Sequence, residues 1–350
     1  MNKLSLFTAV LVFIIITVVS AGCSSEGKNN GDSNYPEKSS TGTLQLNAWM
    51  PKIYLSDSTI YAGYSIWAME RETGVYLIDV SNPAYPSLTN TVSTSDSVQG
   101  IAFCGSSMHV LHHAYGIIDQ WDSQLTEFNL STLEKTARAI TYDDFCNDIA
   151  IGDDYAYIAN SSTDSMLVIN LATYTEEAAY SMGSGSSIVK IIGNRAYLVG
   201  YSTALEIVDI TSPASPAHLG SVANPYNVSP RDLCIFNNYA LLSCGSYGVF
   251  IIDISDETVP KFVTYNEESG LAVQIKTQGN MIFLADQDSG VVVIDASEGI
   301  DNYVVKGICK TAYIVQGLTV SGNYVYATSL AASIDDIGVL EVFDVSDWLN

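Results

Sequence analysis

The stretch Ala204-Leu-Glu-Ile-Val-Asp-Ile-Thr-Ser-Pro213 joins an apolar run to an Asp, a Thr two positions later and a Pro. Leu, Ile and Val in such a run fit a buried β-strand, and Pro ends its hydrogen-bond ladder. A strand-like run followed by Asp or Asn occurs seven times: Val75-Tyr-Leu-Ile-Asp79, Gln124-Leu-Thr-Glu-Phe-Asn129, Leu167-Val-Ile-Asn170, Leu205-Glu-Ile-Val-Asp209, Val249-Phe-Ile-Ile-Asp253, Val291-Val-Val-Ile-Asp295 and Leu340-Glu-Val-Phe-Asp344. The mean interval of about 44 residues is typical of β-propeller blades.

A second landmark lies upstream of each run. Gly193-Asn194 and Gly279-Asn280, for example, each separate two strand-like segments, which is typical of a two-residue hairpin turn. In the first six repeats a further strand follows the Asp or Asn turn, so that a complete repeat contains four strands. No long stretch has helical periodicity. The sequence therefore predicts an all-β chain that folds as a seven-bladed β-propeller of four-stranded antiparallel blades.

The two ends of the repeat region indicate how the ring closes. The chain stops shortly after the third strand of the seventh repeat, which leaves that blade one strand short. The strand-like segment Thr43-Leu-Gln-Leu-Asn-Ala48 precedes the first repeat and has no blade of its own. Pairing it with the seventh blade removes two free sheet edges. We therefore expect this N-terminal strand to close the ring.

The first 22 residues have the features of a processing segment, with Lys3 ahead of an apolar run from Leu6 to Val19. Ser20-Ala21-Gly22-Cys23 resembles a bacterial lipobox, which implies cleavage before Cys23 and lipidation of its sulfur. An ordinary signal peptide cut near Ala21, or an uncleaved anchor, is the alternative. We expect residues 1–22 to be a lipoprotein signal peptide, 23–42 a flexible tether and 43–350 the propeller. Ser24 after the cysteine resembles outer-membrane sorting, so the expected location is the bacterial cell envelope, at the outer membrane or cell surface.

Composition excludes two classes of protein. The chain has 350 residues, of which 47% are hydrophobic and 15% charged, and this excludes a disordered chain. Its 38 acidic and 14 basic residues give a formal net charge of −24. Nucleic-acid-binding proteins carry a positively charged surface, so this composition excludes that class. The expected partners are the membrane, through Cys23, and a protein or glycan.

The repeats resemble the LVIVD-repeat family of bacterial and archaeal propeller proteins. Ala204–Pro213 and Gly248-Val-Phe-Ile-Ile-Asp-Ile-Ser255 match that pattern well, whereas the repeats around Phe128 and Ile169 are degenerate. The resemblance covers residues 43–350. It implies the propeller fold and a cell-envelope setting, and it implies no particular activity.

The seven repeated acidic or amide residues are interpreted as structural turn staples. The position holds Asp in five copies and Asn in two, so the shared requirement is a hydrogen-bond acceptor rather than a charge. A Ser or Thr two residues later in most copies suits the same local turn. The residues concerned are Asp79, Asn129, Asn170, Asp209, Asp253, Asp295 and Asp344.

Metal and cofactor chemistry has little support in the sequence. On a strand, His109 and His113 face one way and His112 the other, so they form no compact ligand set. Cys234 and Cys244 lie too far apart across their hairpin for a disulfide, and buried free thiols are expected. No nucleophile elbow, zinc helix or phosphate loop is present. The sequence implies no cofactor and no metal.

The start of the first strand of each blade supplies the candidate binding residues. In propellers this strand lines the central channel, so polar residues there ring one of its mouths. Converging polar groups in a funnel are the usual position for a ligand. The alternative is that they satisfy strand ends and solvent-filled walls. The candidates are Lys52, Gln99, Asn147, Asp148, Arg231, Asp232, Gln274 and Gln316.

These observations predict a lipid-anchored extracytoplasmic binding or scaffolding module for a protein, glycan or small ligand. Rigidly mounted loops commonly carry such contacts, and Tyr64–Glu72, which includes Trp67, and Ser329–Ile337 are the candidate loops. One alternative is a hydrolase or lyase that uses Asp148, Asp232 and Arg231 at the channel mouth. Another is a passive surface or adhesion component. The sequence therefore assigns a catalytic role to no residue.

Overall fold

The computed structural model describes residues 35–46, 48–66, 72–115, 121–183, 185–266, 270–287, 289–331 and 337–349. Residues 37–350 form one compact unit. Two short strands come first in the chain: β1 (Glu37–Lys38) and β2 (Gly42–Leu46). Within the described residues, no helix is long and apolar enough to cross a membrane.

Seven antiparallel sheets follow in chain order, and each is one blade. Blade 1 contains β3 (Trp49–Ser56), β4 (Thr59–Ile66), β5 (Glu72–Asp79) and β6 (Ser87–Ser93). Blade 2 contains β7 (Val98–Cys104), β8 (Ser107–Tyr115), β9 (Trp121–Asn129) and β10 (Lys135–Tyr142). Blade 3 contains β11 (Cys146–Gly152), β12 (Tyr155–Asn160), β13 (Ser165–Asn170) and β14 (Thr175–Ser181). Blade 4 contains β15 (Ser186–Ile192), β16 (Arg195–Gly200), β17 (Thr203–Asp209) and β18 (Ala217–Ala223).

The remaining blades repeat this order. Blade 5 contains β19 (Asp232–Phe236), β20 (Tyr239–Ser243), β21 (Val249–Asp253) and β22 (Lys261–Asn266). Blade 6 contains β23 (Ala272–Gln278), β24 (Met281–Asp286), β25 (Gly290–Asp295) and β26 (Val304–Cys309), with a 3-10 turn at Ile300–Asn302. Blade 7 contains β27 (Ile314–Ser321), β28 (Tyr324–Leu330) and β29 (Gly338–Asp344). The predicted all-β, seven-bladed architecture is confirmed.

The first strands of the blades form the inner wall. Each contacts the first strand of the next blade, and β27 contacts β3, so the seven strands make a closed ring. We call the face on which these strands begin the entry face. Because neighbouring strands in a blade are antiparallel, the hairpins between first and second strands lie on the opposite face.

The ring is closed by the N-terminal segment. β2 runs antiparallel to β29, with Leu44 opposite Leu340, and so supplies the fourth strand of blade 7. β1 runs parallel to β26 and adds a fifth strand to blade 6. The predicted closure by an N-terminal strand is confirmed. The predicted tether is too long, however, because Glu37 and Lys38 lie in a sheet rather than in a flexible linker.

The hydrophobic core is divided among the blade interfaces. Seven clusters of buried residues each join side chains from two neighbouring blades, and the cluster between blades 7 and 1 includes Met50 and Leu340. Each sheet therefore buries both faces against its neighbours. A single blade lacks this cover, and the apolar runs of the repeat are stabilised only when the ring is complete.

The turns follow the local chemistry of the repeat. The first residue of every hairpin between first and second strands has φ between 50° and 58°, and is Gly, Asp or Asn, which adopt this conformation most readily: Asp57, Gly105, Asp153, Gly193, Asn237, Gly279 and Gly322.

The acidic or amide residue that ends each third strand accepts a hydrogen bond from the backbone N–H two residues later. The acceptor residues and N···O distances are Asp79 (2.8 Å), Asn129 (2.9 Å), Asn170 (3.0 Å), Asp209 (2.8 Å), Asp253 (2.8 Å), Asp295 (2.9 Å) and Asp344 (2.9 Å). These bonds hold the turn between third and fourth strands. Together with the hydroxyl of the Ser or Thr two residues later, they lower the pKa of the five Asp side chains.

Candidate functional site

The candidate binding residues lie at irregular positions of the inner strands on the entry face. In six blades the register of the first two strands shifts by a residue there, for example between Cys146 and Asp148 and between Ala272 and Gln274. Such bulges redirect side chains. In blade 5, β19 begins directly at Asp232.

Three of the candidates accept a backbone N–H group from the next blade. Gln274 accepts from the Leu318 N–H of blade 7 at 2.7 Å and donates to the Pro51 carbonyl of blade 1 at 2.9 Å. In blade 3, Asp148 accepts from the Val189 N–H of blade 4 at 3.2 Å. In blade 5, Asp232 accepts from the Ile275 N–H of blade 6 at 3.1 Å. These side chains satisfy backbone N–H groups of inner strands, each of which lies at the edge of its sheet.

Lysines face both carboxylates. The Lys276 ammonium forms an ion pair with Asp232, and Lys190 acts electrostatically on the same carboxylate. The Lys52 Nζ lies 4.0 Å from the Asp148 Oδ1. Around the ring, the sequence of charges is therefore positive in blade 1, negative in blade 3, positive in blade 4, negative in blade 5 and positive in blade 6. We call Lys52, Asp148, Lys190, Asp232 and Lys276 the channel charge ring.

The two carboxylates of this ring have opposite pKa shifts. Burial raises the pKa of Asp148 above its ordinary value, and the nearby Lys52 offsets only part of that effect. Burial also acts to raise the pKa of Asp232, but Lys276 and Lys190 outweigh it and hold that pKa below its ordinary value. Tyr54 faces both carboxylates, and burial raises the pKa of its hydroxyl well above its usual range.

The other candidates have weaker connections. The Gln99 amide lies 3.1 Å from the Ser97 hydroxyl and 3.4 Å from the His113 Nδ1, and the Asn147 amide donates to the Ser186 carbonyl at 3.5 Å. Arg231 is exposed, and Gln316 is half-buried. The candidates thus share one mouth of the ring without forming one hydrogen-bonded cluster.

The two candidate loops are described only at their ends. In the first loop, Tyr64–Ile66 belong to β4 and Glu72 to β5, while 67–71, with Trp67, lie outside the described residues. In the second, 332–336 lie outside them. Cys23, the predicted lipidation site, also lies outside the described part of the chain.

Buried carboxylates in the third strands were not among the sequence candidates. Glu341 is 3% exposed and accepts from the Ala312 N–H at 3.0 Å and from the Ser329 hydroxyl at 2.9 Å. Burial raises its pKa. Glu206 accepts from the Tyr180 hydroxyl at 2.6 Å. The sequence signal that could have found them is a Glu inside an otherwise apolar strand. Their contacts show that these carboxylates hold loops and fourth strands in place.

The histidines of blade 2 are buried, and each has a different partner. The His109 Nδ1 lies 3.0 Å from the Tyr174 hydroxyl of blade 3, and the His112 Nε2 lies 3.0 Å from the Thr126 hydroxyl. The His113 ring packs on Phe145, with centroids 4.2 Å apart. No group of three or more His, Cys, Asp or Glu with metal-binding geometry occurs among the described residues.

The described cysteines are not disulfide-bonded, and four of the five are buried. Burial raises the pKa of the thiols of Cys146, Cys234, Cys244 and Cys309 to about 12. These thiols therefore stay protonated near neutral pH and are poor nucleophiles. They act as small core residues.

A cavity of about 50 Å³ lies between blades 5 and 6. Aliphatic side chains such as Val249, Ile251 and Ile294 line it, together with Tyr303. The cavity is too small for a substrate, because small-molecule sites usually exceed about 300 Å³.

Substitution of Asp232 by Asn tests the channel charge ring. The change removes the partner of Lys276 while leaving both lysines beside a neutral amide, and breaking a largely buried ion pair costs about 2–4 kcal/mol. We expect the urea-unfolding free energy to fall by that amount. Asp301→Asn, in the exposed 3-10 turn, is the matched control and should change stability by less than about 0.5 kcal/mol. Equal stability of the two variants would contradict the role of the ring.

Three solved structures share the fold of the chain. A computationally designed protein, Ika8, is 11% identical with a TM-score of 0.60, and the match covers 87% of each chain. The WD40 repeats of RRP9 are 10% identical with a TM-score of 0.62, over 87% of this chain and 98% of that one. Hydrazine synthase of Kuenenia stuttgartiensis is 14% identical with a TM-score of 0.64, over 83% and 95%. At these identities the likeness concerns the fold alone.

The comparison with curated proteins finds no match. The family model of the LVIVD repeat matches residues 71–94, 146–169, 183–224, 229–266 and 269–310. The matched segments fall in blades 1, 3, 4, 5 and 6, and they include the two copies that fit the repeat pattern well. The chain is an LVIVD-repeat protein, and its repeats are blades of a seven-bladed β-propeller.

Proposed function

We propose that this LVIVD-repeat propeller is a binding or scaffolding module that acts outside the cytoplasm and is held on a membrane through a lipid on Cys23. Its ligand is a protein, a glycan or a small molecule, bound at the entry face. A closed ring with seven packed interfaces is a rigid mount for such a site.

One observation favours binding over catalysis. The two carboxylates available for acid–base chemistry, Asp148 and Asp232, already accept backbone N–H groups of the next blade and face lysines. A catalytic carboxylate must exchange a proton with its substrate within hydrogen-bond reach. The charge ring is better suited to holding the inner strands together, which leaves exposed groups such as Arg231 for recognition.

The entry-face site can be tested by co-purification from native envelopes. The full-length protein is recovered by an affinity tag, and its companions are identified by mass spectrometry. We expect a partner or glycan that is retained by the wild type and lost from the Arg231→Ala, Gln316→Ala double variant. Lys261→Ala, at the start of β22 and on the opposite face, is the control and should retain it. Equal recovery with all three proteins would contradict an entry-face site.

The lipid anchor has its own test. Cys23→Ala removes the sulfur to be acylated, and two or more acyl chains are what hold a protein stably on a bilayer. We expect the variant to leave the membrane fraction and to lose incorporation of labelled palmitate. Cys104→Ala, a half-exposed cysteine of blade 2, should behave like the wild type in both assays. Membrane association and labelling that survive in Cys23→Ala would refute the anchor.

A further inference from the structure

A cluster of aromatic rings covers one side of blade 5. It consists of Tyr226, Tyr247, Phe250, Phe262 and Tyr265, and we call it the aromatic shelf. The Tyr226 ring is central, with centroids 5.0 Å from Tyr265, 5.4 Å from Tyr247, 5.7 Å from Phe250 and 6.2 Å from Phe262. Phe250 is fully buried below, whereas Tyr226 is 40% exposed. Tyr226 therefore caps the shelf and presents ring surface to solvent.

The loop that carries Tyr226 is held in place by a buried amide. Asn224 is 5% exposed and donates from Nδ2 to the carbonyls of Tyr201 at 2.9 Å and Val228 at 2.7 Å. Its Oδ1 accepts the Tyr226 N–H at 3.2 Å. The loop joins β18 to β19 on the entry face. Because these bonds fix the loop, Tyr226 is ordered before any ligand arrives, and binding loses less conformational entropy.

A cation lies at the end of the same loop. Arg231 is exposed, and its Nε lies 3.5 Å from the position that a Cβ would take on Gly245. Gly245 and Tyr247 belong to one turn, closed by the Tyr247 N–H and the Cys244 carbonyl at 3.2 Å. Arg231 and Tyr226 therefore border the same turn from two sides. On a chain with 14 basic and 38 acidic residues, an exposed arginine at a preformed loop favours an anionic ligand.

We propose that the aromatic shelf and Arg231 bind an acidic sugar, a uronic acid residue of a glycan. The C–H face of the pyranose stacks on Tyr226, the phenol groups hydrogen-bond ring hydroxyls, and the guanidinium takes the carboxylate in a bidentate pair. The rings around Tyr226 are tilted from its plane by 37° to 67°, so the exposed face of Tyr226 alone supplies the stacking surface, and its size matches one pyranose ring. This inference rests on the proposed binding function and names its ligand class.

The test uses the full-length protein and isothermal titration calorimetry. The probes are an oligogalacturonate and a neutral galactose oligomer of the same length. We expect the acidic probe to bind at least tenfold more tightly than the neutral one, and its affinity to fall as NaCl rises. Equal affinities for both probes, or no binding of the acidic probe at millimolar concentration, would overturn the proposal.

Variants separate the two contacts. Tyr226→Ala should weaken binding of the acidic probe at least tenfold, Tyr226→Phe should retain most of it, and Arg231→Met should reduce it to the level of the neutral probe. Tyr85→Ala, a 78% exposed tyrosine of blade 1, is the control and should not change binding. Thermal melting checks that each variant is folded. Binding that survives both Tyr226→Ala and Arg231→Met would refute the site.

These experiments distinguish a wrong ligand class from a wrong proposed function. If an acidic peptide binds to the shelf and the oligogalacturonate does not, the sugar assignment is wrong and the binding module stands. If neither binds, and the wild type and the Arg231→Ala, Gln316→Ala variant also co-purify with the same material from envelopes, both proposals fail.

Discussion

Removal of residues 1–46 is expected to lower the apparent Tm of the protein by about 5–8 °C and to make it prone to aggregate. The deletion takes away β1 and β2, including the five residues that pair with β29 and the partly buried Leu44 and Leu46 at the interface of blades 7 and 1. The loss of apolar burial and of backbone pairing lowers the free energy of unfolding by about 3–5 kcal/mol. In a chain of this size, that loss corresponds to the expected fall in Tm. The exposed edge of β29 is then free to pair with other chains.

Two comparisons make this result specific to ring closure. A protein without residues 1–34 keeps both strands and should melt within about 2 °C of the full chain. Gly42→Val leaves the chain length unchanged, but a Cβ at Gly42 would lie 2.1 Å from the Pro83 carbonyl oxygen. This variant should displace β2 and reproduce much of the deletion's effect, as measured by differential scanning calorimetry. If the 1–46 deletion melts like the 1–34 deletion, the ring does not depend on β2.

The regular part of the fold could be predicted because its causes are local. The turn after each third strand depends on one side chain and the N–H two residues away, as at Asp79 and Asp344. The hairpins depend on a residue that tolerates positive φ, such as Asn237. Such signals survive in a single sequence. The short β1 has no comparable pattern, since Glu37 and Lys38 pair over only two residues, and the tether boundary was therefore placed too late.

The candidate site could be predicted only in outline. Alignment of the blades brought Asp148, Asp232 and Gln274 to one mouth of the ring, but their partner amides lie more than 40 residues away in sequence. The bulges beside Asp148 and Gln274 depend on the packing of whole sheets. Lys190 and Lys276 were missed although they lie two residues after aligned positions, and therefore on the same side of their strands. The alternation of side chains between the two faces of a strand was the signal that could have identified these two lysines.

The aromatic shelf shows a different limit. Tyr226, Tyr247 and Tyr265 come from a loop, a turn and a fourth strand, so no motif joins them. Asn224 and Arg231 flank Tyr226 within one loop, yet neither has a role until the loop is folded against blade 5. Contacts of this kind depend on which surfaces the fold brings together, and sequence spacing does not report them.

Acidification is expected to destabilise the protein as the pH falls from about 6.5, because blade 2 holds three buried histidines in the neutral form. His109, His112 and His113 are at most 3% exposed, and burial lowers the pKa of each. The nearby acids Asp96 and Glu127 act against that effect, and Arg138 and Lys135 act with it. Since the unfolded chain takes up protons near pH 6.5 and the folded chain does so only at lower pH, the stabilisation is complete above pH 6.5 and is lost as pH falls below it.

The size of this effect follows from proton linkage. Each histidine that is neutral when folded and protonated when unfolded changes the unfolding free energy by up to about 1.4 kcal/mol per pH unit. For His113 burial is the main cause of the lowered pKa, and the backbone hydrogen bond with Cys146 and the nearby Asp96 offset only part of it. Urea unfolding between pH 5 and pH 7.5 should therefore show a slope that His113→Phe reduces by up to one proton. His218→Asn, at an exposed position in the fourth strand of blade 4, is the control variant. An unaltered slope in His113→Phe would mean that His113 is not held neutral in the folded blade.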